Sequence, residues 1–173
     1  IKRNKFTGSG GDAAIGFDTV AQSIVTENYI ADGQNVATSG YGYGIQFNEA
    51  THHCIATLNT SYYVREHTFT NRTRFCLFTN NICVGHQDNG FNTHGAGVTD
   101  CLIANNLFDG IRPGPCVSVG YSTLSGPDKR IDIVDNIMKN STATPISVVG
   151  NVTHQNETIR VLRNTRSEER RVG

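Results

Sequence analysis

Charge of one sign is the first thing this sequence lacks. Lys and Arg number 15 and so do Asp and Glu, which leaves no electrostatic argument for a nucleic-acid or anionic-membrane partner. No apolar run approaches the roughly 18 residues of a membrane span. Nor does a basic stretch followed by an apolar one open the chain, as a secretory leader would; it starts at Ile1, already inside a repeat, and is expected to be a fragment without its natural end caps. Five cysteines are present without a CxxC knuckle, and their spacing suits free buried thiols better than a metal site. No window sustains the spacing of a helix face.

What is present is repetition. "FCLFTNNICVG" (75–85) returns 25 residues later as "DCLIANNLFDG". Anchored on the second asparagine, related stretches occur at Asn4, Asn28, Asn59, Asn81, Asn106, Asn136 and Asn164, at intervals of 24, 31, 22, 25, 30 and 28 residues. Three positions before the anchor stand Ile1, Val25, Ala56, Phe78, Ile103, Ile133 and Val161. Five before, Cys54, Cys76 and Cys101 are followed by Ile131 and Ile159, and two after come Phe6, Ile30, Ser61, Cys83, Phe108, Met138 and Arg166. Apolar and polar residues alternate over four to six positions, which is the strand period.

A second apolar patch lies between anchors: "GIQFN", "HTFTN", "GFNTH", "CVSVG" and "ISVVG". Two or three short strands per repeat suit a coil that stacks strand on like strand. Seven coils would make a rod of roughly 34 Å. Identical residues then recur because each rests on its copy. Asparagine is expected at the corner because it tolerates a left-handed backbone and because stacked amides hydrogen-bond along a ladder. Residues 1–166 are assigned to the repeat, and 167–173 ("SEERRVG") to a charged tail resembling adaptor-derived sequence. Sequons begin at Asn59, Asn71, Asn140, Asn151 and Asn156, and are read as accidents of composition.

The "TNNI", "ANNL" and "DNIM" corners resemble the repeats of right-handed parallel β-helix proteins of the pectin-lyase-like superfamily, over about residues 1–165. Within it, "YVREHTFT" (63–70) and "GFNTHGAGVTDC" (90–101) are similar to coils of phage tail and tailspike-like proteins, with Asn92 standing where that pattern has aspartate. The resemblance implies an all-β fold and binding or cleavage of a polysaccharide or cell-surface glycan along one face of the rod. It also implies an extracellular or virion-associated setting and, if phage-derived, a homotrimer.

On such a rod a site is assembled from equivalent positions of neighbouring coils. Counted from the anchors, Arg65 and Arg112 stand at +6, and Glu66 and Asp88 at +7. The two carboxyls should then lie about 4.8 Å apart in register, close enough for repulsion to raise one pKa and leave an acid beside a base or nucleophile. Arginine beside them can neutralise a uronate or stabilise an oxyanion. The same row also reads as an exposed ion-pair ladder of little energetic weight. His67 and His94 flank the second patch as acid/base candidates or as satisfied structural histidines. Adjacent His52 and His53 point to opposite faces and make no metal site.

The longest interval holds "ADGQNVATSGYGYG", whose Tyr41 and Tyr43, with Tyr62 and Tyr63 on the next coil, either stack on sugar rings or simply cover the rod. The expected catalytic set is therefore Asp88 and Glu66 with His67, His94 and Arg65. The expected binding set is Tyr41, Tyr43, Tyr62 and Arg112. No cofactor is expected. The activity would be that of a polysaccharide lyase or glycoside hydrolase, the alternative being a non-catalytic structural or receptor-binding segment of a phage tail or adhesin.

Overall fold

A computed structural model describes residues 1–8, 11–33, 42–70, 72–93, 97–120, 127–149 and 157–167. All of their regular elements are strands, arranged as three parallel walls. Wall A stacks β3 (Ile24–Thr26), β6 (Ile55–Thr57), β9 (Leu77–Thr79), β12 (Thr99–Ala104), β15 (Lys129–Val134) and β18 (Glu157–Leu162). Wall B stacks β1 (Lys5–Thr7), β4 (Tyr29–Ala31), β7 (Thr60–Tyr62), β10 (Ile82–Val84), β13 (Leu107–Asp109), β16 (Ile137–Lys139) and β19 (Thr165–Ser167). Wall C stacks β2 (Ala13–Asp18), β5 (Tyr43–Asn48), β8 (Thr68–Thr70), β11 (Phe91–Asn92), β14 (Val117–Val119) and β17 (Ile146–Val148). The chain is a parallel β-solenoid that visits C, A and B in turn. The seven asparagine rungs correspond to six complete three-strand coils preceded by β1, one fewer than the seven expected. Strand β19 pairs Ser167 with Lys139, so the last wall B strand includes the first residue assigned to the tail; residues 168–173 lie outside the described ones.

The columns read from the sequence are the observed registers. In wall A, Val25 pairs with Ala56, Ala56 with Phe78, Phe78 with Ile103, and Ile103 with Ile133. In wall B, Phe6, Ile30, Ser61, Cys83, Phe108, Met138 and Arg166 pair in sequence. Phe78, Cys76, Cys101, Ile103, Phe108 and Ile133 are buried, and they belong to one continuous apolar core. All five cysteines are free and buried. Cys54, Cys76 and Cys101 each turn the thiol onto the carbonyl two residues earlier, at 3.3, 3.3 and 3.2 Å.

Each anchor asparagine is bound to the next. The amide of Asn59 receives the backbone N–H of Asn28 at 3.1 Å and its side-chain N–H at 2.9 Å. The same pair of bonds joins Asn59 to Asn81, Asn81 to Asn106, Asn106 to Asn136 and Asn136 to Asn164. The remaining Nδ2 hydrogen reaches a wall A carbonyl one coil back, as from Asn81 to Ala56 at 3.1 Å. Burying so polar a row is tolerable because its donors and acceptors are matched.

One part of the expectation fails. The left-handed seat is the residue before the asparagine, occupied by Arg3, Glu27, Leu58, Asn80, Asn105, Asp135 and Arg163 with φ between 51° and 57°. Two further columns share that conformation. Six before the anchor it is taken by Gln22, His53, Phe75, Asp100, Arg130 and Thr158, and four after by Gly8, Asp32, Tyr63, Gly85, Gly110 and Asn140. Three bends thus recur five residues apart and fold walls A and B at fixed angles. A left-handed seat costs an ordinary L-residue about 1–2 kcal/mol, and stacking offsets that cost whatever side chain sits there. The asparagine is selected by its amide ladder, not by its backbone.

Candidate functional site

The sequence-derived cluster sits where wall B turns into wall C. Arg65 N–H bonds the Gly42 carbonyl at 2.9 Å, whereas Gly44 N–H bonds the Glu66 carbonyl at 2.8 Å. Arg65 therefore stands beside Tyr43 and His67 beside Gly44, with Glu66 one residue in excess. Asn89 is in excess one coil later: Asp88 N–H bonds the Arg65 carbonyl and Thr68 N–H the Gly90 carbonyl, both at 3.0 Å. Such bulges re-aim side chains out of the regular alternation.

These bulges bring carboxyls, amides and a cation together. Asn89 Nδ2 donates to Glu66 Oε1 at 3.4 Å and to Asp88 Oδ1 at 3.1 Å. Asn92 Nδ2 donates to Glu66 Oε1 at 3.3 Å. Arg65 reaches Asp88 at 3.4 Å and lies 5.5 Å from the centre of the Tyr43 ring. Glu66 is 1% exposed, while the Asp88 side chain keeps 38% of its surface and Arg65 23%. Burial, with the Asp88 charge second, pushes the Glu66 carboxyl up to about 8. Its Oε2 has no partner. Burial, then Glu66, pushes Tyr43 up to about 12. The arrangement keeps one carboxylic acid protonated at neutral pH within two hydrogen bonds of a solvent-facing carboxylate held by arginine.

The other expected residues divide. Arg112 N–H bonds the His86 carbonyl at 3.0 Å, which places Arg112, Gln87 and Arg65 in one column; the Arg112 side chain is exposed. Tyr62 is only half-buried, but its ring lies against Tyr29 at 5.7 Å on the outer face of wall B. His67 is a correction: it does not join the Glu66–Asp88 face. It is 2% exposed and turned into the core, where Ser61 Oγ lies 2.7 Å from its Nδ1. Glu66 bonds Asn89 and Asn92 while His67 turns to Ser61 in the core, so the two do not serve one surface. Tyr41 and His94 lie outside the described residues.

Comparison with family models, curated proteins and solved structures returns no match for this chain.

Sequence reasoning gave no site role to Asn89 and Asn92, the two amides that tie the carboxyl cluster together: Asn89 is the extra residue of its coil, and Asn92, noted only as standing where the family pattern has aspartate, keeps its regular register in wall C. Among the described residues no three His, Cys, Asp or Glu groups are placed to hold a metal. A surface cleft of about 400 Å³ lies elsewhere, on wall A between Asp100, Arg130, Asp132 and Arg160. Its arginines are committed to Asp100 and Asp132, so it offers ion pairs and no free charge. Asn59 is fully buried in the amide ladder, which closes its sequon to a glycan in the folded chain.

Proposed function

We propose that this protein is a carbohydrate-active β-helix that binds a polysaccharide across the turn from wall B to wall C and cleaves it with Glu66 as proton donor and Asp88 as base or nucleophile. The observation that carries the reading is the split pair: neighbouring carboxyls joined through Asn89, one buried and protonated, the other exposed and paired with Arg65. Environments that push two carboxyls apart in this way mark the acid and base of glycoside hydrolysis. Two oxygens bound to one nitrogen at 3.4 and 3.1 Å lie no more than about 6.5 Å apart, where retaining spacings give way to inverting ones. Arg65 and Arg112 in one column would meet acidic or hydroxyl groups of a chain running along the rod. The same features support placing the chain with right-handed, pectin-lyase-like β-helices of the tail and tailspike kind, acting outside the cell or on a virion.

The test is product formation on a panel of polysaccharides. Reducing-end release identifies a hydrolase, and absorbance from unsaturated uronides a lyase. E66Q and D88N should each abolish turnover while glycan binding, read by affinity electrophoresis, persists. A second reading, a non-catalytic glycan-binding or structural segment, is favoured by the 1% exposure of Glu66, since a proton donor has to reach the glycosidic oxygen. It is the conclusion if binding occurs with no product on any substrate.

A further inference from the structure

Behind the carboxyl cluster, in the core between walls B and C, two imidazoles share one hydroxyl. Ser61 Oγ lies 2.7 Å from His67 Nδ1 and 2.9 Å from His86 Nε2, and His86 Nε2 also lies 3.4 Å from the Ser61 carbonyl. That carbonyl only accepts, so His86 carries its proton on Nε2 and donates to Ser61. Ser61 can then give its one hydrogen to a bare His67 Nδ1, and in that arrangement the pattern closes with both rings neutral. His67 Nε2 and His86 Nδ1 have no partner; their rings are 2% and 1% exposed and 6.1 Å apart.

We propose that Ser61, His67 and His86 form an acid-sensitive lock on the solenoid interior, shut while both rings are neutral and opened by proton uptake. A proton on His67 Nδ1 would displace the Ser61 hydrogen pointing at it, and a proton on His86 Nδ1 would meet only the Asn89 backbone. Either charge would sit in a core lined beside His67 by Phe78, Phe91, Ile103 and Phe108, where an uncompensated cation is strongly disfavoured. The polar groups facing the rings are Ser61 from wall B, Thr68 from wall C, Asn81 from the ladder and the Asn89 backbone, with Cys83 beside Ser61. Burial pushes the Cys83 thiol up, so it stays neutral. Among the described residues no carboxylate faces the pair. Glu66, next to His67 in sequence, points the other way.

The sign follows from burial. It lowers His67 from the ordinary 6.5 to about 3, with the neighbouring His86 adding to the shift, and lowers His86 to about 4. Both contributions are complete above pH 6.5 and are lost as the pH falls toward 4. Two protons taken up on unfolding change the folding constant by up to about 100-fold per pH unit. Glu66 acts in the opposite sense above pH 4.5, so the lock is read most cleanly in an E66Q background.

The lock needs no glycan and is tested by denaturant unfolding between pH 7 and 4.5. In E66Q the folding constant should fall by roughly 50-fold per unit near pH 4.5, and by about 5- to 10-fold when H67Q or H86Q is added. An unchanged slope on adding either substitution overturns the proposal. A second measurement needs no substitution: in native protein labelled with ¹³C-histidine, the signals of the two core rings should keep their neutral shifts down to pH 5. If they titrate reversibly in the folded state above pH 5.5, the lock does not exist. Neither outcome bears on polysaccharide cleavage, which stands or falls on product formation.

Discussion

Walls A and B differ from wall C in what their sequences must satisfy. Gln22 and Asp32, His53 and Tyr63, Phe75 and Gly85, Asp100 and Gly110, and Arg130 and Asn140 are left-handed seats ten residues apart, so the A-to-B half of each of these coils has one length. All variation in repeat length therefore falls between the second seat and the next first one, on the wall C side. The regular half carries the amide row and the registers; the variable half carries the bulges at Glu66 and Asn89, and with them the carboxyl cluster. The stacked amides leave no room for an extra residue, whereas the wall C side, which among the described residues has strand registers and no amide row, can take one between them and aim it. Chemistry gathers where the repeat relaxes.

That contrast breaks most visibly at the amide row. Asn81→Leu removes the acceptor of two bonds from Asn59 and the donor of bonds to Ala56 and Asn106, stranding buried polar groups at about 1–3 kcal/mol each. The expected loss is roughly 3–6 kcal/mol by denaturant unfolding. Asn89→Leu, on the variable side, should cost only about 1–2 kcal/mol. Equal losses would mean that the ladder is no more demanding than the corner cluster. Next comes Phe108→Ala in wall B, which empties a fully buried site and should cost about 3–5 kcal/mol.

Glu66 gives a pH-dependent effect. Its carboxyl is raised from 4.5 to about 8, so its contribution to folding is complete below pH 4.5 and is lost as the pH rises toward 8. Relative to Glu66→Gln, the unsubstituted protein should lose up to about 1.4 kcal/mol per pH unit across that window. Parallel pH profiles for the two proteins would show that Glu66 is not held neutral. Asp88→Asn comes last: an exposed ion-paired carboxylate should change stability by less than about 1 kcal/mol even where it abolishes turnover. A large loss of stability would move Asp88 into the scaffold.

Much of this is legible in the sequence, for a physical reason. Stacking forces like residues onto like positions, so the asparagine, cysteine and aliphatic columns could be counted out. The shared offsets of Arg65, Glu66 and Asp88 were legible on the same ground, because the ladder registers persist up to the B-to-C turn. What escaped was whatever the ladder does not repeat. The left-handed seats hold Leu58, Phe75 and Glu27, residues with no preference for that conformation, because neighbouring coils impose it. His67 was grouped with Glu66 because the two are adjacent in sequence, and adjacency does not show which of them turns into the core. The burial of Glu66 was missed because wall C keeps even outward-facing Gln46, Asn92 and Ser118 buried, which no offset encodes.

The amide row also has an arrow. From Asn4 to Asn136 every side-chain nitrogen donates to the following coil, and from Asn28 to Asn164 every side-chain oxygen accepts from the preceding one, so the amide dipoles add head to tail along the rod. Turning over one amide would set its oxygen against a neighbour's oxygen on one side and its nitrogen against a nitrogen on the other, so the row can reverse only as a whole. The carbonyls of Val25, Ala56, Phe78, Ile103 and Ile133 forbid even that, since they accept and never donate. The row is thus a polarised wire with one permitted sense, in which each bond strengthens the next. A substitution at one rung weakens bonds at rungs it does not touch.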